Sequence, residues 1–264
     1  VRNNLRYNNT DVLEKGYAIG LRPLSLFASR MYPDESPLKA SERAITMIMF
    51  KLEGQVIQRN LCFQMDDRLL LDKIDYTSAC IYLNGQRYEL TSPYFPTVDP
   101  NDPYKLSEEE EAIMRDLKSF FLESETLRRH VDYLYKKGSM YTCYNENLLF
   151  HGCIPMNKDG SFTEVMFGGK KYKGREYMDF TDRMARRAYM YRDQQSLDFM
   201  WYLWCGRRSP LSGREFKTFE RALIEDESTW KEPSDAYFKL VEDEEICEKV
   251  LKEFGLNPKR GHII

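Results

Sequence analysis

Residues 147–155 run Asn-Leu-Leu-Phe-His-Gly-Cys-Ile-Pro, and this string constrains the fold more than any other. Leu148, Leu149 and Phe150 are a continuous apolar run without alternation, the pattern of a buried central strand. Such a strand carries His151 to its carboxyl end, where sheets packed by helices collect their ligands. Gly152 beside it lets another group approach closely. A neutral imidazole in that position suits a borderline divalent metal. The plainer alternative is a histidine that closes the strand and is satisfied by backbone. Either way the expected class is α/β.

The rest of the chain is mainly helical in pattern. Thr10 and Asp11 can cap a short helix ending near Gly16, and Pro23 suits a helix start. Ala44, Ile45, Ile48, Met49, Leu52 and Val56 recur at three- and four-residue steps, which predicts a helix from Pro37 to about Arg59. Asn84-Gly85 between two short β patterns predicts a hairpin, because both residues tolerate positive φ. Ser107 and Glu110 form a capping box for one long helix reaching about Lys136, stopped by Gly138. Two strands flank Asn145-Glu146-Asn147. Further helices are expected at about 174–204, 214–224 and 243–254, with a buried strand opening at His262. The stripe Phe199, Met200, Leu203 and Trp204 is read as core packing.

Composition narrows the class of partner. The 264 residues are 42% apolar, enough for a core, and 31% charged, enough for a soluble surface. A net charge of −3 lacks the basic footprint of a nucleic-acid binder. No apolar run approaches the ~20 residues of a membrane span. The six cysteines are scattered, with no CxxC pair, which suits reduced thiols in the cytoplasm. The chain opens on Val1 and stops at Ile264 within an apolar run, as an internal piece of a longer polypeptide would.

Leu148 to Gly152 resembles the strand-His-Gly motif of calcineurin-like metallophosphoesterases. Longer strings resemble class 3 fructose-1,6-bisphosphatase. They are Lys137 through Pro155, Leu21-Arg-Pro-Leu-Ser-Leu26, Phe50-Lys-Leu-Glu53, Tyr94 to Pro100, and Lys259-Arg-Gly-His-Ile-Ile264. The resemblance implies the second half of a metallophosphoesterase-type sandwich, with a largely helical insertion and a small β-hairpin. Residues 1–36 would continue the catalytic core, 37–136 would form the insertion with its hairpin near 79–90, and 137–264 would be the core half carrying the strand-end His. It also implies hydrolysis of fructose 1,6-bisphosphate to fructose 6-phosphate in gluconeogenesis, by a two-metal Mn²⁺ site.

Of the superfamily's ligand motifs only the strand-end His is found here, so His151 is the expected metal ligand. The isolated chain is expected to be inactive. Asp66-Asp67-Arg68 lacks a preceding Gly-Asp and suits a helix, and His262 stands just before the point where a later Gly-His is expected. Cys153 departs from the protein phosphatases, so their substrate contacts do not carry over.

Arg214, beside Gly213 at an expected helix start, is the leading phosphate contact; Arg207 and Arg208 compete with it. Arg183, Arg186, Arg187 and Arg192 make a basic helix face, and His130 lies at a rim. A homo-oligomer through exposed strand edges is expected of the fragment. Two other readings stay open: a metallophosphatase for a phosphoprotein or nucleotide, and a non-catalytic helical interaction domain.

Overall fold

The computed structural model describes residues 1–264. They form a mixed α/β chain that divides into two units, one of Val1–Arg59, Asp67–Lys137 and Leu223–Glu225, the other of Asn60–Asp66, Gly138–Ala222 and Asp226–Ile264. No unit boundary falls at residue 36. Residues 1–36 share a core with the helix that follows them, because their apolar faces are buried against it.

In the first unit, α1 (Arg2–Arg6), a π-helical turn at Val12–Gly16 and α2 (Arg22–Met31) precede α3 (Pro37–Arg59). Leu24, Phe27 and Ala28 of α2 are buried with Ala40, Ala44, Ile45 and Ile48 of α3. Three short antiparallel strands follow: β1 (Ile74–Asp75), β2 (Cys80–Leu83) and β3 (Gln86–Glu89), in that order across the sheet. Asn84 and Gly85 turn the hairpin with φ of 52° and 81°. α4 (Glu108–Glu123) opens on the capping box, with both of its reciprocal hydrogen bonds formed. The single helix expected here is two. Ser124 is extended and ends α4, and its hydroxyl accepts from Leu127 N–H as α5 (Glu125–Lys137) begins. α5 buries none of its residues, and Leu134 is exposed.

In the second unit, β4 (Tyr141–Tyr144) and β5 (Asn147–Phe150) form a hairpin in which Asn145 and Glu146 both take positive φ. β6 (Val165–Phe167) and β7 (Lys170–Tyr172) form another, turning at Gly168-Gly169 in a region expected to be mostly helical. Then come α6 (Gly174–Tyr191), α7 (Gln194–Cys205), α8 (Thr218–Leu223), α9 (Tyr237–Leu240), α10 (Glu244–Glu253) and β8 (His262–Ile263). β5 is central, between antiparallel β4 and parallel β8.

Four expectations are corrected here. Only Leu148 of the apolar run is fully buried; Leu149 and Phe150 are half-buried. β8 is partly exposed. The helix expected over 174–204 breaks where Arg192 turns left-handed (φ 52°) and Asp193 caps α7 by accepting from Ser196 N–H. Phe199 and Leu203 are buried, but Trp204 is 55% exposed. The core of this unit is aromatic, with Phe63, Phe167, Phe180, Phe199 and Tyr202 in mutual ring contact.

Candidate functional site

His151 is the first residue beyond β5, and it is exposed. Gly152 follows with φ 87°. A Cβ there would lie 2.2 Å from the Pro210 carbonyl oxygen and 2.6 Å from that of Leu211. The position therefore requires glycine twice over, for its backbone angle and for the loop pressed against it. Cys153 N–H donates to the same Pro210 oxygen at 2.8 Å. Burial pushes the Cys153 thiol well above its ordinary range, so it packs as a small apolar group and is no nucleophile.

The loop at 206–214 is thus fastened to the strand end, and buried groups fasten it elsewhere. The Ser209 hydroxyl donates to Leu203 O and accepts from Leu211 N–H at 3.1 Å. Arg208 is clamped by its backbone: its N–H donates to the Tyr202 hydroxyl at 3.2 Å, and its carbonyl accepts from the Tyr177 hydroxyl at 3.0 Å. Burial pushes Tyr202 up to about 12 and Tyr177 well above its usual value, so both phenols stay protonated at neutral pH.

Asp235 ties a second segment to this loop. Its Oδ1 accepts from Met156 N–H at 2.9 Å and Tyr237 N–H at 3.0 Å, and its own N–H donates to Gly213 O at 2.8 Å. Its buried Oδ2 has no hydrogen bond and faces Arg208 Nη1 at 3.6 Å.

Arg214 is not at a helix start. It forms an isolated bridge with Ser234, and α8 begins four residues later at Thr218. Gly213 takes a φ of 56°, with Phe238 and the Cys153 sulfur packed against it, and this turns the chain into an extended path instead. The Arg214 side chain is half-exposed and lies 3.9 Å from Glu232 Oε2.

The other residues singled out from the sequence are dispersed. Arg207 donates to Gln64 O and lies 3.4 Å from Glu215 Oε1. Arg186 and Arg187 are held by Asp182 and Asp193, and Arg192 ends α6. His130 Nδ1 lies 3.3 Å from the Tyr17 hydroxyl. His262 is opposite Asn147 in β8, and Asp66–Arg68 form one 3-10 turn. No group of three or more His, Cys, Asp or Glu side chains is placed to hold a metal ion. The donors of this chain therefore do not by themselves fit a two-metal centre.

Arg207 and Arg208, the competing phosphate contacts, instead share one feature of the second unit with two lysines that the sequence does not single out. A cleft of ≈680 Å³ is lined by Lys171, Lys173, Arg207 and Arg208, with Phe63 and Tyr202 among its walls. Its cations come from two segments over thirty residues apart, and the spacing of each alone resembles ordinary surface.

The whole chain, residues 1–264, matches the family model described as Firmicute fructose-1,6-bisphosphatase. Among curated relatives, it is 43% identical over 289 residues to fructose-1,6-bisphosphatase class 3 1 of Clostridium beijerinckii, covering 100% of this chain and 44% of that protein. It is 41% identical to the class 3 enzyme of Listeria innocua, with the same coverage, and 43% identical to that of Fusobacterium nucleatum, covering 98% and 43%. The chain thus spans less than half the length of these relatives. No solved structure matches it.

Proposed function

The chain belongs to the Firmicute fructose-1,6-bisphosphatase family, and on that premise we propose that it works as part of a phosphatase converting fructose 1,6-bisphosphate to fructose 6-phosphate and phosphate. The observation that carries this reading is the match along every residue from 1 to 264. Phosphoryl transfer of this kind is catalysed mainly by positioning and by stabilising charge on the phosphoryl oxygens. Arg214 is our candidate for a phosphate contact. Its side chain is half-exposed, and its 3.9 Å approach to Glu232 is long for an ion pair, a tie that an anion can replace.

His151 is proposed as the imidazole that this chain contributes to a manganese site in a metallophosphoesterase-type sandwich, and its exposure just past a central strand supports that. The remaining donors are proposed to lie in the part of the family protein that this chain does not span. We place the reaction in gluconeogenesis and in the cytoplasm; six free cysteines accord with a reducing compartment. No helix is long and apolar enough to cross a membrane. β4 and β8 are sheet edges, which supports a homo-oligomer formed by strand pairing.

The test is phosphate release from fructose 1,6-bisphosphate with Mn²⁺, on this chain and on a full-length protein containing it. The chain alone should give no turnover, and the full-length protein should be active. Arg214→Ala in the full-length protein should cost roughly 2–4 kcal/mol of transition-state stabilisation, the scale of one preorganised donor. Kinetics within twofold of wild type would remove Arg214 from the site. Turnover with stoichiometric manganese in the chain alone would show that the active site is misplaced here and that the centre is complete within these residues.

A further inference from the structure

We propose that the cleft between the β6–β7 hairpin and the Arg207-Arg208 turn binds a phosphate ester. Its size, ≈680 Å³, falls within the roughly 300–1,000 Å³ of small-molecule sites. Every lining residue belongs to the second unit.

Charge is the first argument. Four cations line the cleft, Lys171, Lys173, Arg207 and Arg208, against one lining carboxylate, Glu164, while Glu215 and Asp235 outside the lining lie 3.4 Å from Arg207 and 3.6 Å from Arg208 and leave the set with an excess positive charge. The Glu164 carboxylate is engaged by Lys171 at 2.9 Å. Cations gathered in a concavity repel one another and focus a positive potential, which a bound anion relieves.

Preorganisation is the second. The Arg208 backbone is held by two buried tyrosine hydroxyls, and the Arg207 guanidinium is braced by Gln64 O and Glu215. Asn157 and Ser161, on the facing wall, are themselves linked at 2.9 Å. An anion arriving here orders few new side chains, which lowers the entropic cost of binding.

The donor set selects the ligand class. The planar, half-exposed guanidinium of Arg208 offers N–H groups that match phosphate oxygens, and the braced Arg207 and the ammonium groups add positive charge beside it. A dianionic phosphate monoester balances such a set better than a single carboxylate does. It would arrive either as the second phosphate of a sugar bisphosphate or on a separate phosphorylated molecule. Only the first of these sources rests on the function proposed above.

Isothermal titration of this chain with inorganic phosphate and with fructose 1,6-bisphosphate tests the proposal. The variants are Lys173→Glu, at an exposed cleft residue, and Lys231→Glu, which makes the same charge change at an exposed position outside the lining. Phosphate should bind the parent chain. Lys173→Glu should weaken it at least tenfold, and Lys231→Glu less than twofold, with thermal unfolding unchanged in both. Fructose 1,6-bisphosphate binding at least tenfold tighter than phosphate, with that gain lost in Lys173→Glu, identifies the second phosphate of the substrate. No gain over phosphate identifies a separate ligand. Equal losses in the two variants, or no binding of either probe at millimolar concentration, would overturn the site. Binding is read without turnover, so an inactive phosphatase would leave this proposal standing.

Discussion

Two groups of charged residues, one in each unit, have opposite fates. In the first unit, Lys51 and Glu110 are 0% and 1% exposed and meet at 2.7 Å. Lys51 also donates to Thr97 O. The carboxylate accepts from the Thr97 hydroxyl and from Ser107 N–H, so each member of the group is satisfied from within. In the second unit, the cations of the cleft outnumber their carboxylates and stay partly solvated, Arg208 being 42% exposed in its side chain. A closed, neutral, saturated network holds backbone segments together and has nothing left to offer a ligand. An open set with excess charge of one sign contributes little to stability and keeps its donors available.

The largest effect expected from this contrast is at Lys51. Lys51→Met leaves Glu110 ionised, buried and without its cation, at a cost of about 3–5 kcal/mol. Glu110→Gln on top of it should recover part of that loss. Glutamine still accepts from Ser107 N–H as a capping-box residue but carries no charge that needs a partner. Urea unfolding of the single and double variants measures both numbers. A double variant no more stable than Lys51→Met would show that packing of the lysine stem, and not charge, sets the cost.

Gly152 ranks next. Gly152→Ala combines a left-handed alanine with a Cβ driven into two carbonyl oxygens, and should cost roughly 2–4 kcal/mol, more than backbone strain alone. Gly85→Ala is the matched comparison: its φ is 81°, but nothing lies within 4 Å of the added carbon, so about 1 kcal/mol is expected. Equal costs at the two positions would mean that the loop carrying Arg207 and Arg208 moves aside freely, and the cleft would lose its rigid wall. A smaller loss, about 1 kcal/mol, is expected for Ser107→Ala, which removes the hydroxyl accepting from Glu110 N–H at 3.2 Å. Chemical denaturation resolves a change of that size, and a neutral result would assign the cap's whole worth to the Glu110 side.

Which of these features could be read beforehand follows from the range of the interactions that make them. Asn84-Gly85, Asn145-Glu146 and the Ser107–Glu110 box are settled by residues within four positions of one another, so turn and cap chemistry was legible. Helix breaks were not, because the apolar spacing runs on through Ser124 and through Arg192-Asp193. The signal at the second break was local all the same: an aspartate that accepts from the N–H three residues later. Arg214 was misplaced for a different reason. A glycine before an arginine suits a helix start, but the bridge to Ser234 and the packing of Phe238 on Gly213 depend on residues twenty or more positions away. The exposure of His151 at the end of a central strand was legible from one apolar run. The cleft was not, because Lys171 and Lys173 meet Arg207 and Arg208 only through tertiary packing.

The smallest expected change in stability is also the most informative about the cleft. Lys173 is exposed, whereas Lys51 is buried and ion-paired with Glu110. Lys173→Glu should therefore move unfolding free energy by no more than about 0.5 kcal/mol, the usual range for a surface site. Any residual change should be stabilising, since the substitution replaces one of four neighbouring cations by a carboxylate. A measured loss above 1 kcal/mol would mean that Lys173 supports the fold as Lys51 does, and any accompanying loss of phosphate binding would then report unfolding and not a missing contact. Stability within the narrow range together with a tenfold loss of phosphate affinity would separate the two charge groups cleanly. Lysine buried against its partner would be structural, and lysine left open beside two clamped arginines would belong to a ligand.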